Sequence, residues 1–195
     1  MSRKDVNIQQ CLPSPRLTFL ISMKTIIFTL PTASVAHLKS GDILSISGQI
    51  YTARDAAHKL IYTAIAEDKP LPFDITGQAV YYTGPTVTRP NTIIGSCGPT
   101  TAQRMDEFTP LLLEKGLKVM IGKGSRSDAV IASIIKNKAV YLSCVGGAAA
   151  LITSKITSAE PIAYPHLGCE QILRLTVKDL PAVVSIDSKG NIFGQ

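Results

Sequence analysis

Apolar residues along this chain recur with two different periods, and each period predicts one kind of element. Short β-rich apolar runs bounded by turn residues predict strands, whereas apolar residues three and four positions apart predict helices. The first half of the chain predicts strands at 25–30, 43–50 and 79–82, and helices at 54–67 and 102–115, the second helix being interrupted near Pro110.

The second half of the chain alternates between the same two patterns. It predicts strands at 119–121, 139–144, 172–177 and 182–186, and helices at 127–136 and 146–156. No internal repeat and no low-complexity linker interrupts this order. We therefore expect one α/β domain with a mixed sheet.

Length and composition agree with one domain. The chain has 195 residues, and 45% of them are apolar, which is enough to bury a core. It contains no apolar run of 18 residues, so we expect no membrane-spanning helix. Residues 1–22 are polar, contain two prolines and lack periodicity, so we expect an extension there and the domain at 23–195.

Charge and cysteine content narrow the function. The formal net charge is +6, but the basic residues are scattered and form no cluster with aromatic residues, so nucleic-acid binding is not expected. A mildly basic domain that binds a small anion fits the charge. No two cysteines have C-x-x-C spacing, so we expect this chain to bind no metal ion or cluster and to be located in the reducing cytoplasm. The cysteines are Cys11, Cys97, Cys144 and Cys169.

The first segment that suits an anion is residues 51–58, where a predicted strand leads into a predicted helix. Arg54 and His58 are four positions apart, which places them on one helix face. Asp55 lies in the first turn, where a negative charge is favourable. It is either a helix-start residue or part of a site.

The second segment is Gly98-Pro99-Thr100-Thr101, which leads into another predicted helix. Backbone N–H groups and hydroxyls at a helix N-terminus suit a carboxylate, and Arg104 follows one turn after Thr100. Both threonines are also suitable N-cap residues, and the two interpretations are compatible.

The third segment, Gly122-Lys123-Gly124, follows an apolar strand. Ligands of open α/β sheets bind at such strand ends, although a turn lysine is the simpler interpretation of Lys123 alone. Taken together, Arg54, Arg104 and Lys123 are three cations on three loops. Such an arrangement suits a small dicarboxylate.

These motifs, in this order, resemble the β subunit of class I fumarase and L-tartrate dehydratase. The resemblance extends from about Leu38 to the C-terminus. It is carried by residues 47–58, 98–101 with 104–106, 109–116, 121–124, 146–150 and 186–191. It implies a single swivelling β/β/α domain, with a mixed sheet flanked by helices.

The resemblance also implies how the chemistry is divided between two chains. A cluster-bearing α subunit would hold a cubane 4Fe–4S cluster, with one iron open to the substrate's hydroxyl and carboxylate. By matching motifs, the carboxylates of the substrate would be bound by Arg54, Arg104 and Lys123. Thr100 would match the threonine proposed as the catalytic base, with Arg104 also assigned to the catalytic group.

The matching motifs assign supporting roles, in the site or in the contact between domains, to Asp55, His58 and Gly98. The implied reaction is the reversible hydration of fumarate to (S)-malate, active only with the α subunit. L(+)-tartrate dehydratase shares the same motifs, so the substrate stays open, as does the oligomeric state, homodimerisation included. A non-catalytic anion-binding or assembly domain is an alternative of another class, and the presence of the candidate cations argues against it.

Overall fold

The computed structural model describes residues 25–144 and 149–194, which form a seven-stranded mixed sheet with helices packed against it. The strands are β1 Thr25–Leu30, β2 Ile43–Thr52, β3 Ala79–Tyr81, β4 Val119–Gly122, β5 Val140–Ser143, β6 Ile156–Ala163 and β7 Ile172–Ile186. The α-helices are α1 Asp55–Ala66, α2 Thr109–Glu114, α3 Asp128–Asn137 and α4 Ala149–Ser154. Two 3₁₀ turns are Ala102–Met105 and Pro165–Glu170.

The sheet closes on itself through its long final strand. β2, β3, β4 and β5 are parallel neighbours in that order, and β7 runs antiparallel to both β5 and β2. β1 pairs with β2, and β6 pairs with the first part of β7. Because β2, β3 and β4 are parallel, their carboxyl ends lie at the same edge of the sheet.

Alternate residues of the central strands face two different cores. In β4, Val119 and Ile121 pack among strand residues, whereas Met120 packs in the core that includes α1, α2 and α3. Tyr81 and Tyr82 divide between the two cores in the same way. Strands buried on both faces are continuous apolar runs, which is why the short apolar runs predicted them correctly.

Two predicted helices differ from the structure. The predicted helix at 102–115 is divided into the 3₁₀ turn and α2, because Pro110 lacks an N–H group and is tolerated only in the first turn of a helix. The predicted helix at 146–156 is shorter. α4 ends at Ser154 and Ile156 begins β6, while the positions of Gly146 and Gly147 lie outside the described residues.

The last strands were only partly predicted. β6 was missed because its residues are mainly polar or exposed and include Pro161. The two strands predicted at 172–177 and 182–186 are one strand, β7, which continues through Pro181. Along one edge of β7, pairing with β6 ends at Val177 and pairing with β5 begins at Val183, so that edge is unpaired at Pro181. A proline, which lacks an N–H group, is tolerated at such an unpaired edge.

The expectation of an α/β fold with a mixed sheet and flanking helices is confirmed. The expected extension at residues 1–22 lies outside the described residues, and the domain boundary at residue 23 stays a prediction. Within the described ranges, no helix combines the length and apolar character needed to cross a membrane.

Candidate anion-binding site

The three predicted segments meet at the carboxyl edge of β2, β3 and β4. Arg54 follows β2, and Lys123 follows β4. Between them, the backbone N–H of Thr100 donates to the Tyr82 carbonyl at 2.7 Å, and the Thr100 carbonyl accepts from the Lys123 N–H at 3.2 Å. The second segment therefore continues the sheet beyond β3 and holds Thr100 beside Lys123.

A carboxylate–guanidinium pair joins the first segment to the second. Nε of Arg104 donates to Oδ1 of Asp55 at 2.9 Å, and Nη2 of Arg104 lies 2.8 Å from Oδ2. The pair occupies only the Nε/Nη2 edge of the guanidinium, and among the described residues Nη1 has no acceptor. Because the Arg104 side chain is 51% exposed, its Nη1/Nη2 edge is accessible to a ligand. Asp55 is thus both the first residue of α1 and the partner of the candidate cation Arg104.

Arg54 has a confined guanidinium whose donors are incompletely satisfied. Its side chain is 20% exposed and faces two carboxylates, with Nε 3.8 Å from Oδ2 of Asp55 and Nη2 3.6 Å from Oε1 of Glu170. Both distances exceed that of a hydrogen bond, and the buried Nε has no acceptor within the described part of the chain. An unsatisfied buried donor is unfavourable, so the guanidinium of Arg54 is incompletely paired by the protein residues that surround it.

Lys123 differs from the two arginines. Its side chain is exposed, and it forms no ion pair with any residue in the described ranges. The structure thus places all three predicted cations at one sheet edge, with carboxylate neighbours for Arg54 and Arg104 only. The simpler interpretation of Lys123 as a turn residue is compatible with this position.

Thr100 is not a helix cap. Its hydroxyl donates to the Tyr82 carbonyl at 2.9 Å, and the residue at the N-cap of the 3₁₀ turn is Thr101, which makes no side-chain capping bond. The N–H groups of Thr100 and Ala102 bond to the carbonyls of Tyr82 and Lys123, so they are not available to an anion. Of the two threonines expected as N-cap residues, Thr101 therefore occupies the N-cap position, without a capping bond. The expectation that the N–H groups of Thr100 and Ala102 bind a carboxylate is wrong, because the segment extends the sheet.

His58 lies beneath the site rather than in it. It is completely buried, its Nδ1 donates to the Arg54 carbonyl at 2.9 Å, and its Nε2 has no partner among the described residues. Burial lowers the pKa of His58 to about 4, so the ring is neutral at neutral pH. The expected shared helix face with Arg54 does not form, because Arg54 precedes the helix. The bond of His58 to the Arg54 carbonyl is compatible with the predicted supporting role.

Gly98 has a packing role in the described structure. Its carbonyl accepts a hydrogen bond of 2.7 Å from the Thr83 hydroxyl. A Cβ atom at Gly98 would lie 3.1 Å from the Cβ of Ala149, the first residue of α4. This close approach connects the second segment to α4 and is compatible with a supporting role for Gly98.

Two residues that shape the site were missed by the sequence analysis. Oε2 of Glu170 accepts from the Ala56 N–H at 2.9 Å, across 114 residues of the chain, and no local pattern could indicate that contact. The second missed residue, the buried Arg126, binds Oδ1 of Asp106 at 2.7 Å, and Asp106 follows Arg104 by two positions. The aspartate in the Arg104-Met105-Asp106 motif was the signal in the sequence that could have indicated this pair.

The described residues do not fit an iron–sulfur cluster. Within 25–144 and 149–194, no three His, Cys, Asp or Glu residues are arranged to hold a metal ion. Burial raises the pKa of the Cys97 thiol to about 11 and that of the Cys144 thiol to about 12. Both thiols are therefore protonated at neutral pH, whereas cluster ligands are thiolates.

The described residues form an α/β domain that brings the candidate cations Arg54, Arg104 and Lys123 to the carboxyl edge of its sheet, an arrangement that suits a small anion. The chain belongs to the fumarase C-terminus family, since a family model described as "Fumarase C-terminus" matches residues 16–195. This confirms the resemblance found in the motifs.

Two of the named relatives are fumarate hydratases. The chain is 41% identical over 154 residues to the anaerobic class I fumarate hydratase of Escherichia coli K12, and 39% identical over 152 residues to the mitochondrial fumarate hydratase 1 of Leishmania major. These alignments cover 78% and 77% of this chain, but it spans only 28% of the length of each relative.

A third relative is a separate subunit by name. The "Putative L(+)-tartrate dehydratase subunit beta" of Methanocaldococcus jannaschii is 32% identical over 163 residues. That alignment covers 80% of this chain and 84% of the relative. The relatives therefore include both substrate names that the motifs left open.

Proposed function

We propose that this chain is the substrate-binding and proton-transfer part of an iron–sulfur hydro-lyase that reversibly hydrates fumarate to (S)-malate. The observation that carries the proposal is the placement of Arg54, Arg104 and Lys123 at one sheet edge, with guanidinium N–H groups that have no acceptor among residues 25–144 and 149–194. Family membership and the fumarate hydratase relatives support the same reaction.

A small dicarboxylate needs positive partners for both of its ends. Arg54 and Arg104 both approach Asp55, so they lie close together, while Lys123 follows the neighbouring strand β4. A substrate carboxylate at the Nη1/Nη2 edge of Arg104 would make a second two-contact pair without displacing Asp55. The planar geometry of this contact would orient the substrate as well as hold it.

In the proposed reaction Thr100 exchanges a proton with the substrate carbon that bears no hydroxyl. In the hydration direction its hydroxyl would give its proton to that carbon and become an alkoxide, and in the dehydration direction the alkoxide would take the proton back; without substrate the hydroxyl donates to the Tyr82 carbonyl. A threonine hydroxyl is a weak base in water, and this role requires cations that stabilise its alkoxide. Lys123, which bonds to Thr100 through the backbone, and Arg104 are the proposed sources of that charge.

The cluster is proposed to belong to a partner. The described residues offer no cluster ligands, and the word "subunit" in the name of the archaeal relative is consistent with a second chain. We propose that a cluster-bearing α subunit supplies the 4Fe–4S cluster and that the complex acts in the cytoplasm. This chain would then provide the carboxylate contacts and the proton transfer at carbon.

Reconstitution tests the proposed function. The purified chain is expected to bind no iron and to show no hydratase activity, because residues 25–144 and 149–194 offer no set of cluster ligands. Anaerobic addition of a cluster-loaded α subunit of this family is expected to give turnover of fumarate. Stoichiometric iron–sulfur absorbance in the chain alone, or a complex inactive with fumarate, would contradict the proposal.

The role of Thr100 is tested in the assembled enzyme. Thr100→Ala is expected to lower kcat by about 10²–10⁴-fold, with a much smaller change in substrate affinity, because a base acts in the transition state. Thr101→Ala is the matched control, since that exposed neighbour makes no capping bond. Solvent-isotope exchange at the non-hydroxylated carbon that continues at the normal rate in Thr100→Ala would exclude the base role.

Tartrate dehydration is the second candidate reaction, favoured by the name of the archaeal relative. Comparison of kcat/KM for fumarate, (S)-malate and L(+)-tartrate in the reconstituted complex separates the two. A chain that binds dicarboxylates but gives no turnover with any active α subunit would instead be a non-catalytic anion-binding domain.

A further inference from the structure

The guanidinium of Arg54 lies between two parts of the chain that are far from it in sequence. One is the 3₁₀ turn Pro165–Glu170 between β6 and β7, and the other is Gly84, just beyond β3. We propose that Glu170 is a positioning residue for Arg54 and that Gly84 provides the space in which the guanidinium is held. This inference rests on the proposed role of Arg54 in binding a substrate carboxylate.

Glu170 is itself fixed by the start of α1. Its Oε2 accepts the hydrogen bond of 2.9 Å from the Ala56 N–H, in the first turn of that helix. A carboxylate is favourable at a helix N-terminus, so this contact holds the side chain in place. Its other oxygen, Oε1, then faces Nη2 of Arg54 at 3.6 Å.

The distance between Glu170 and Arg54 has a functional consequence. At 3.6 Å the carboxylate attracts the guanidinium without forming a hydrogen bond with it. Asp55 acts on Nε in the same way from 3.8 Å. The two carboxylates therefore position the guanidinium while its Nη1 and Nη2 groups form no hydrogen bond with any described residue.

Gly84 leaves the space that the same guanidinium occupies. A Cβ atom at Gly84 would lie 2.7 Å from Nη1 and 2.9 Å from Cδ of Arg54, and 3.1 Å from the carbonyl oxygen of Cys169. The Arg54 side chain thus passes directly over the glycine backbone towards the turn that carries Glu170. An uncharged side chain at position 84, even that of alanine, would therefore displace the Arg54 side chain while every charge is kept.

These contacts give two independent ways to disturb Arg54. Glu170→Gln keeps the shape and an acceptor for the Ala56 N–H but removes the charge. Gly84→Ala keeps every charge but occupies the space of the guanidinium. In the reconstituted enzyme each is expected to raise KM for the dicarboxylate and to lower kcat/KM by roughly three- to tenfold, since an ordered ion-pair contact is of that order.

A double-mutant cycle distinguishes positioning from a general structural effect. If Glu170 acts through Arg54, Glu170→Gln is expected to have little further effect in an Arg54→Ala background. Glu114→Gln is the matched control, because Glu114 at the end of α2 pairs with the exposed Lys136 before β4 begins, at the opposite edge of the sheet, and should leave the kinetics unchanged. An equal loss with and without Arg54 would overturn the inference.

A second measurement is independent of activity. In the full chain without a partner, Glu170→Gln and Gly84→Ala are expected to speed hydrogen exchange of the Arg54 Nε–H in NMR spectra and to leave the Arg104 Nε–H unchanged. Unchanged Arg54 exchange in both variants would overturn the positioning role. Faster exchange together with normal kinetics for Arg54→Ala would instead contradict the proposed substrate role of Arg54, so the two failures are distinguishable.

Discussion

Two arginine–aspartate pairs lie near the same edge of the sheet, and their surroundings differ. Arg126 is completely buried, and its guanidinium bonds to Asp106 at 2.7 Å, the Thr109 hydroxyl at 2.7 Å and the Tyr82 hydroxyl at 3.2 Å. Its carbon Cζ also lies 5.4 Å from the ring centroid of Tyr82 and 5.1 Å from that of Tyr141. Partners surround this cation on all sides.

The pair of Arg104 and Asp55 is half-exposed and uses only one edge of the guanidinium. A buried charge is tolerated only when its donors are paired, whereas an exposed one can keep donors for a ligand. We therefore interpret the Arg126 pair as structural and the Arg104 pair as ligand-binding. The two are connected, because Asp106 holds in place the segment that presents Arg104.

The largest expected effect is on the buried pair. Arg126→Met should lower the free energy of unfolding by about 3–5 kcal/mol, because Asp106 would remain in the interior without its partner. Denaturant unfolding of the full chain measures this change. Lys136→Met, which breaks the exposed pair with Glu114, is the control and should leave the unfolding midpoint unchanged within error.

A double variant sharpens the interpretation of the buried pair. Arg126→Met combined with Asp106→Asn should be less destabilising than the sum of the single changes, since neither charge is then left alone. Additive losses would show that the ion pair is not the source of the stabilisation.

The next expected effect is a change of the free energy of unfolding with pH, caused by the ring of His58, whose pKa is influenced by the Arg54 backbone and by Arg126. Burial is the main cause that lowers its pKa to about 4, and the charge of Arg126 lowers it further. The unfolded chain binds a proton at His58 below about pH 6.5, but the folded chain does not until about pH 4. Stability from this group is therefore fully present above pH 6.5 and is lost as the pH falls towards 4, by roughly 3 kcal/mol.

Unfolding titrations between pH 4 and 7, compared with those of His58→Gln, measure this contribution. The variant should be less stable at pH 7 but should show a shallower dependence on pH in this window. The same slope in both proteins would mean that His58 does not remain neutral in the folded chain.

Changes to the three candidate cations should have the smallest effect on stability, but they should have a specific effect on activity. Arg104→Ala should lower kcat/KM of the reconstituted enzyme at least about tenfold, because one charge-assisted contact to a carboxylate is lost. Arg54→Ala and Lys123→Ala should behave alike. The free energy of unfolding should change by at most about 1 kcal/mol for Arg104→Ala. Unchanged kinetics in all three variants would place the substrate elsewhere and remove the distinction between the two pairs.

The sequence by itself determined the fold class, most strands and the positions of the candidate cations. Buried strands such as β4 are short apolar runs, and a lysine directly after such a run must lie at the carboxyl edge of the sheet. The prediction from the sequence was wrong where apolar periodicity was weak, as in the exposed strand β6, and where Pro110 divided a predicted helix.

Only the tertiary structure decided which charges meet. Asp55 and Arg104 are 49 residues apart, and Glu170 reaches the start of α1 from a turn that follows a strand the pattern missed. The burial of Arg126 could not be predicted either, because the local sequence around a single arginine in a turn does not show whether its side chain is exposed or, as here, enclosed by Tyr82 and Tyr141. Periodicity reports which face of an element is apolar, whereas the pairing of charges depends on distances that exist only after the sheet has closed.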